Sequence, residues 1–275
     1  MDLLEYTFFR NALIGILLIS IPAAMIGTYI ITRRMVAITG GVTHACFGGL
    51  GLGYYLGMDT IIMASVFAVA SSLGVEWMSG KRRIRGDSAV AVVWALGMAV
   101  GVLFVFLTPG YVPELNAFLF GNILTITTAD LWIFGAFTLI LLLFYFFYFD
   151  SIIAVSFDRD FSSVSGLPVK FVNLSMSVLV ALCVVLTIKL VGIMLLMSML
   201  SLPVMIAETY YARFKAITYL AVIVSIVTCV VGLFLSAYID VPCSALIVIV
   251  QVILFLLVRF LRPRNRTILK GRATP

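Results

Sequence analysis

The sequence predicts an all-α integral membrane protein with about nine transmembrane helices, the amino terminus outside and the carboxyl terminus inside. Three observations carry that expectation. The 275-residue chain is 63% apolar and only 11% charged, where soluble domains run near 25% charged. Its apolar runs are continuous and close to the roughly 20 residues a helix needs to cross a bilayer, unlike the short alternating strands of a barrel. Once those runs are alternated across a membrane, the basic residues fall almost entirely on one side.

The spans expected are 9–31, 36–57, 60–79, 88–108, 131–149, 172–188, 191–208, 216–238 and 241–260. Arg33 and Arg34 separate the first two, and Asp59 separates the second from the third. The KRRIR run at 81–85 follows the third, and a long outer segment, 109–130, follows the fourth. A polar inner segment, 156–170, follows the fifth. Lys189 divides one long apolar run into the sixth and seventh spans; read as a single kinked helix, that run lowers the count to eight. Arg213 and Lys215 precede the eighth span, and Asp240 precedes the ninth. With nine spans every Lys and Arg except Arg10 and Lys189 lies inside. With eight, the basic tail would fall on the wrong side. The chain reads as one transmembrane domain over 1–260, followed by a basic tail at 261–275.

Asp2, Glu5, Asp59, Glu114, Asp130 and Asp240 lie on the outer side in this topology. The outer mouth is then net acidic, either by design to concentrate cations or simply because the bases lie inside. MDLLEYTFFR lacks a positive start, so no cleavable leader is expected.

Much chemistry is excluded. Gly80-Lys81 is the one GK pair, but Val75 and Arg82 stand where a phosphate loop needs Gly and Ser or Thr, so the chain should not hydrolyse ATP. There is no HExxH and no CxxC pairing; Cys46, Cys183, Cys229 and Cys243 read as small buried hydrophobes. The spans hold too few carboxylates for a proton-relay carrier. Glu76 and Asp87 stand beside the KRRIR run, where ion pairing is the simplest reading. No nucleic-acid partner is expected; the surrounding partner is membrane lipid.

The stretch GGVTHACFGGLGLGYYLG (40–57) holds the only histidine, His44. On a helix, Gly41, Ala45, Gly49, Gly53 and Gly57 form one smooth ridge for helix packing. His44 lies on the adjacent ridge between Gly40 and Gly48, roughly 12 Å from the inner end. Three roles fit an imidazole near the midplane: a packing hydrogen bond, a metal contact on a pathway, or a pH sensor. Met194, Met197, Met199 and Met205 cluster with Pro203 in the seventh span, as flexible packing or soft contacts for a metal.

In 156–170, SFDRDFSSVSGLPVK, Asp158 can cap a short helix with Phe161 and Val164 on one stripe. Gly166 suits its end, and Pro168 stops it. Such a helix fits a groove on a soluble partner. In 109–130, AFLFGNIL is too short to span and reads as a re-entrant or interfacial piece.

Six stretches in order resemble the permease subunit of the metal-ion (zinc, manganese or iron) branch of bacterial ABC importers. They are ITGGVTHACFGGLGLGYYLG, GDSAVAVVWALGMAVGVL, LNAFLFGNILTITTADL, SFDRDFSSVSGLPVKFVNL, KLVGIMLLMSMLSLPVMIA and LSAYIDVPCSALIVIVQ. The resemblance implies the vitamin B12/metal-chelate-like permease fold, a homodimer in the bacterial cytoplasmic membrane, and a separate ATP-binding subunit. An extracytoplasmic metal-binding protein would deliver the ion. It also implies His44 as a pathway residue for the transported zinc, manganese or iron, with no permanently bound cofactor, and Phe157, Asp158, Asp160, Phe161, Gly166, Leu167 and Pro168 as the ATPase-coupling segment. The chain departs from the family where Gly40 replaces an Asp one turn before the histidine, where Thr43 replaces Ser, where Arg159 replaces Pro, and at Cys243-Ser244 after Pro242. Loss of the carboxylate favours a site that metal only brushes, or a softer ion such as zinc. Two alternatives stay open: a permease for chelated iron, haem or cobalamin, which bulky Phe47, Tyr54 and Tyr55 disfavour, and a stand-alone carrier or structural membrane subunit.

Overall fold

The computed structural model describes residues 5–81, 85–109, 121 and 123–261. Among them run α1 (Thr7–Thr32), α2 (Val36–Leu56), α3 (Thr60–Lys81), α4 (Gly86–Leu107), α5 (Thr128–Phe157), α6 (Arg159–Val164), α7 (Val169–Tyr210), α8 (Phe214–Ile239) and α9 (Cys243–Leu261). A 3-10 turn, Ile123–Thr125, precedes α5. Eight of the helices, all but α6, are long and apolar enough to cross a membrane.

One of the eight crosses twice. α7 has 42 residues, and a straight helix of that length would measure roughly 63 Å, twice a bilayer's hydrocarbon core. It breaks at Gly192, where φ is 79° and ψ 171°. Phe171, near its start, lies 5.2 Å from the Tyr148 ring, and Phe214, just past its end, lies 6.1 Å from Phe149. Tyr148 and Phe149 are neighbours on α5, so both ends of α7 are at the same end of the bundle. The chain therefore makes nine crossings. The expected boundary at Lys189 moves to Gly192 for a physical reason. Lysine is a good helix former, and its amine reaches the Asp130 carboxylate at 2.6 Å, so the helix runs through it. The reversal needs a positive φ, which glycine adopts without strain.

The Asp130 end is locked further. Thr127 and Asp130 form a capping box at the start of α5. Gly121 lies so close to Val191 and Gly192 that a side chain there would overlap their backbone. Ile123 is buried behind it. Of the expected re-entrant piece in 109–130, residues 110–120 and 122 lie outside the described residues, as do 82–84 of the KRRIR run and 262–275 of the tail.

The opposite end carries the basic residues. Arg33, Arg34, Arg85 and Arg159 line one cleft of about 410 Å³ with Glu76 and Asp87. Arg33 donates to the Tyr29 hydroxyl and to Asn173 Oδ1 at 3.2 Å, tying α1 to α7. Glu76 pairs with Arg159 at 3.1 Å, a partner distant in sequence. Arg159 comes from the segment after α5, which folds under α3.

A buried polar knot joins the last three spans. Gln251, fully buried on α9, accepts from Ser198 on α7 and donates to Thr228 Oγ1 on α8 at 3.2 Å. With no water in the lipid core, these groups must satisfy one another. Gln251→Leu is expected to cost about 1–2 kcal/mol, read as a lower Tm of the detergent-solubilised protein. An unchanged Tm would show the knot to be energetically silent. The four cysteines are buried and free.

Candidate functional site

α2 is built to be approached closely. Gly97 of α4 stands against the Ala45 backbone, Gly51 against Gly101, and Gly48 is close enough that a methyl would sit 2.9 Å from the Gly97 carbonyl oxygen. Gly49 and Gly53 instead meet Met63, Ala64 and Thr60 of α3. The single ridge expected at 41, 45, 49 and 53 is thus divided. Gly41 and Ala45 face α4, and Gly49 and Gly53 face α3. Gly57 is no part of it. The helix ends at Leu56, and Gly57 is its left-handed cap (φ 64°), with nothing within 4 Å of where a side chain would begin. Sequence reading missed the matching surface, Gly97 and Gly101, although their spacing of four in GMAVG carries the same signal as the α2 ridge.

His44 projects beside this seam, half-buried. The indole of Trp94, from α4, stacks on it with ring centroids 4.3 Å apart and planes 7° apart. Among the described residues the imidazole has no hydrogen-bond partner, so nothing there fills the packing-hydrogen-bond role. One turn earlier, a methyl on Gly40 would lie 3.6 Å from Met197 Cε and 3.7 Å from Trp94 Cζ3. Three helices, α2, α4 and the second half of α7, therefore bring His44, Trp94 and Met197 together around Gly40. Trp94 was not singled out in the sequence; a tryptophan in an apolar span has no periodic signature of contact with a histidine 50 positions away. The other methionines separate from this group. Met199 is in the core, and Met194 and Met205 are exposed. Among the described residues no three His, Cys, Asp or Glu side chains form a metal-holding group.

The α2 hydroxyls are unusual. Ser20, Thr28 and Thr138 return a hydrogen bond to the carbonyl four residues back, the usual outlet for a hydroxyl in a membrane helix. Thr39 and Thr43 are buried with no partner among the described residues. Together with an unbonded imidazole, they leave α2 with polar capacity unspent at membrane depth.

The segment between α5 and α7 forms as its caps dictate. The Asp158 carboxylate accepts from Phe161 N at 2.9 Å. At the other end Leu167 N donates to Ser162 O and Gly166 N to Ser163 O, a Schellman closure with Gly166 at φ 75°. α6 is a short helix of six residues that turns Phe161 and Val164 outward, Val164 being 90% exposed, and Phe157 at the end of α5 is exposed beside them. Asp160 lies in its first turn, where a carboxylate complements the helix dipole. Pro168 caps α7 without a side-chain bond.

Residues 5–262 match the family model of ABC-3, the ABC 3 transport family. The chain belongs to the ABC 3 transport family. Within the family, it is 35% identical over 254 residues to an uncharacterized membrane protein of Synechocystis sp., covering 92% of this chain and 90% of that one. It is 28% identical to the manganese transport system membrane protein MntC of Listeria monocytogenes, covering 96% and 94%. Among solved structures it superimposes on PsaBC from Streptococcus pneumoniae in complex with Fab with a TM-score of 0.83 at 28% identity, covering 98% of this chain and 97% of that one. This ABC-3 chain is a multi-pass protein of the bacterial cytoplasmic membrane.

Proposed function

We propose that this chain is the permease of an ATP-driven importer of divalent transition-metal ions, with zinc the ion its site suits best. The observation that carries the reading is His44. It is a half-buried imidazole deep in a span, with no hydrogen-bond partner among the described residues and its ring stacked on Trp94. Neutral imidazole is the commonest transition-metal ligand, and a nitrogen donor without a carboxylate suits zinc better than manganese. Relatives named as manganese transport proteins support the metal class. The departure at Gly40 is what favours zinc within it.

The remaining parts follow from the same reading. The arginine-lined end faces the cytoplasm, by the positive-inside bias, which places the amino terminus outside. Exposed Phe161 and Val164 of α6, with Phe157 at the end of α5, then form the docking surface for a separate ATP-binding subunit. Gly166, Leu167 and Pro168 hold that helix at its angle. Two copies of the permease would face each other across the pathway, and an extracytoplasmic binding protein would load it at the Asp130 end. The test is ATP-dependent uptake of radiolabelled zinc and manganese by cells carrying the permease with its partners. Uptake of zinc that excess manganese fails to suppress supports the reading. Manganese uptake preferred over zinc sinks the ion preference, and flux without any ATPase sinks the importer.

The docking helix has its own test. Phe161→Asp places a charge at the centre of the exposed apolar stripe and is expected to reduce copurification of the ATP-binding subunit at least ten-fold, since a buried anchor residue carries much of a small interface. Equal copurification would remove α6 from the interface.

A further inference from the structure

Position 40 is where the structure goes beyond a lone histidine. The space in front of Gly40 is not empty. The Met197 methyl and the edge of the Trp94 indole close on it from two other helices, within 3.6 and 3.7 Å of where a side chain would begin. Trp94 in turn covers one face of His44. We infer that Met197 and His44, roofed by Trp94, form a soft-donor subsite for the transported ion, in which a thioether stands in place of a carboxylate and selects borderline and soft cations over manganese. The inference rests on the reading of His44 as a pathway residue.

The chemistry is consistent across the three side chains. Thioether and imidazole nitrogen suit zinc and softer ions, whereas manganese prefers oxygen donors. No carboxylate cluster among the described residues supplies them. Trp94 lies flat on the imidazole, so it fixes the ring plane in which a nitrogen would meet an ion. Methionine has three rotatable bonds and a polarizable sulfur, so Sδ can turn toward a passing ion while the backbone stays fixed. That backbone is well anchored. The Met197 carbonyl accepts from Ser201 Oγ at 2.6 Å, and adjacent Ser198 is bonded to Gln251 of α9. A weak, mobile ligand on a rigid helix suits passage, because conduction requires that the ion leave as readily as it enters.

The test uses Trp94 as reporter. In the full-length permease with Trp77→Phe and Trp132→Phe, Trp94 is the sole tryptophan, and its emission is followed on titration with Zn²⁺, Cd²⁺ as a soft divalent probe, and Mn²⁺. Half-saturation by Zn²⁺ and Cd²⁺ is expected at least ten-fold lower than by Mn²⁺. Met197→Leu, which conserves volume, is expected to weaken Cd²⁺ at least ten-fold, and Met197→Gln to do the same. The buried cysteines are common to all variants, so they cancel from the comparison. Unchanged Cd²⁺ half-saturation in both Met197 variants overturns the subsite while leaving His44 as a ligand, provided His44→Ala still abolishes the response. If His44→Ala leaves every titration unchanged, the pathway reading fails as well. Mn²⁺ binding as tightly as Cd²⁺ overturns the selectivity.

Discussion

His44→Ala is expected to reduce zinc uptake at least ten-fold while leaving the protein folded. The reduction follows from what the imidazole supplies. A divalent ion at membrane depth has lost its water, and each missing ligand raises the barrier it must cross. Changes around a metal ligand typically cost 10–100-fold in affinity or activity, and the ligand itself costs no less. Folding is spared because His44 is half-buried, has no hydrogen-bond partner among the described residues, and contributes mainly its stack on Trp94, about 0.5–1.5 kcal/mol. The measurement is ATP-dependent uptake by cells carrying the permease with its ATP-binding subunit and binding protein, with membrane expression checked by immunoblot. Full uptake by a well-expressed variant would make His44 a packing residue.

The second large effect is on the fold itself. Gly97→Val is expected to prevent α2 and α4 from docking. A side chain at Gly97 would run into the Ala45 backbone, and no rotamer moves backbone aside. The helices must separate, which opens the seam at Gly48, Gly51 and Gly101 as well. Overpacking of a tight core costs about 1–3 kcal/mol, and more when the obstacle cannot relax. The expected result is a loss of about 3 kcal/mol or more, seen as aggregation on detergent extraction or a strongly lowered Tm. Gly135→Ala provides the control. Gly135 is in the interior of α5 with nothing within 4 Å of its added methyl, so the helix propensity of alanine should stabilise by roughly 0.5–1 kcal/mol. Equal effects of the two substitutions would show that close helix approach at Gly97 is not what the glycine provides.

The sequence and the structure agree where the determining physics is local or depends on the solvent. Nine crossings were legible from apolar run length and from the sidedness of lysine and arginine, because each run partitions into lipid largely by itself. The α6 cap was legible for a similar reason: Asp158, Gly166 and Pro168 act within a few residues of their own positions. The exact point of reversal was not. Lys189 is the residue that polarity marks, but an ion pair with Asp130, 59 positions earlier, satisfies it and lets the turn fall on Gly192.

The same distinction divides the candidate site. Sequence alone determined a membrane bundle with a glycine-lined second span, one deep histidine and a capped polar helix between spans. Its resemblance to metal-ion permeases also marked Gly40 as the place where a carboxylate would be expected. Only the tertiary structure decided what surrounds that gap. Arg159 pairs with Glu76, Gly57 caps rather than packs, and Trp94 and Met197 close on Gly40 from two other helices. Those neighbours are set by how helices far apart in the chain seat their glycines against one another, and short-range spacing in sequence carries no information about which side chain arrives across such a seam.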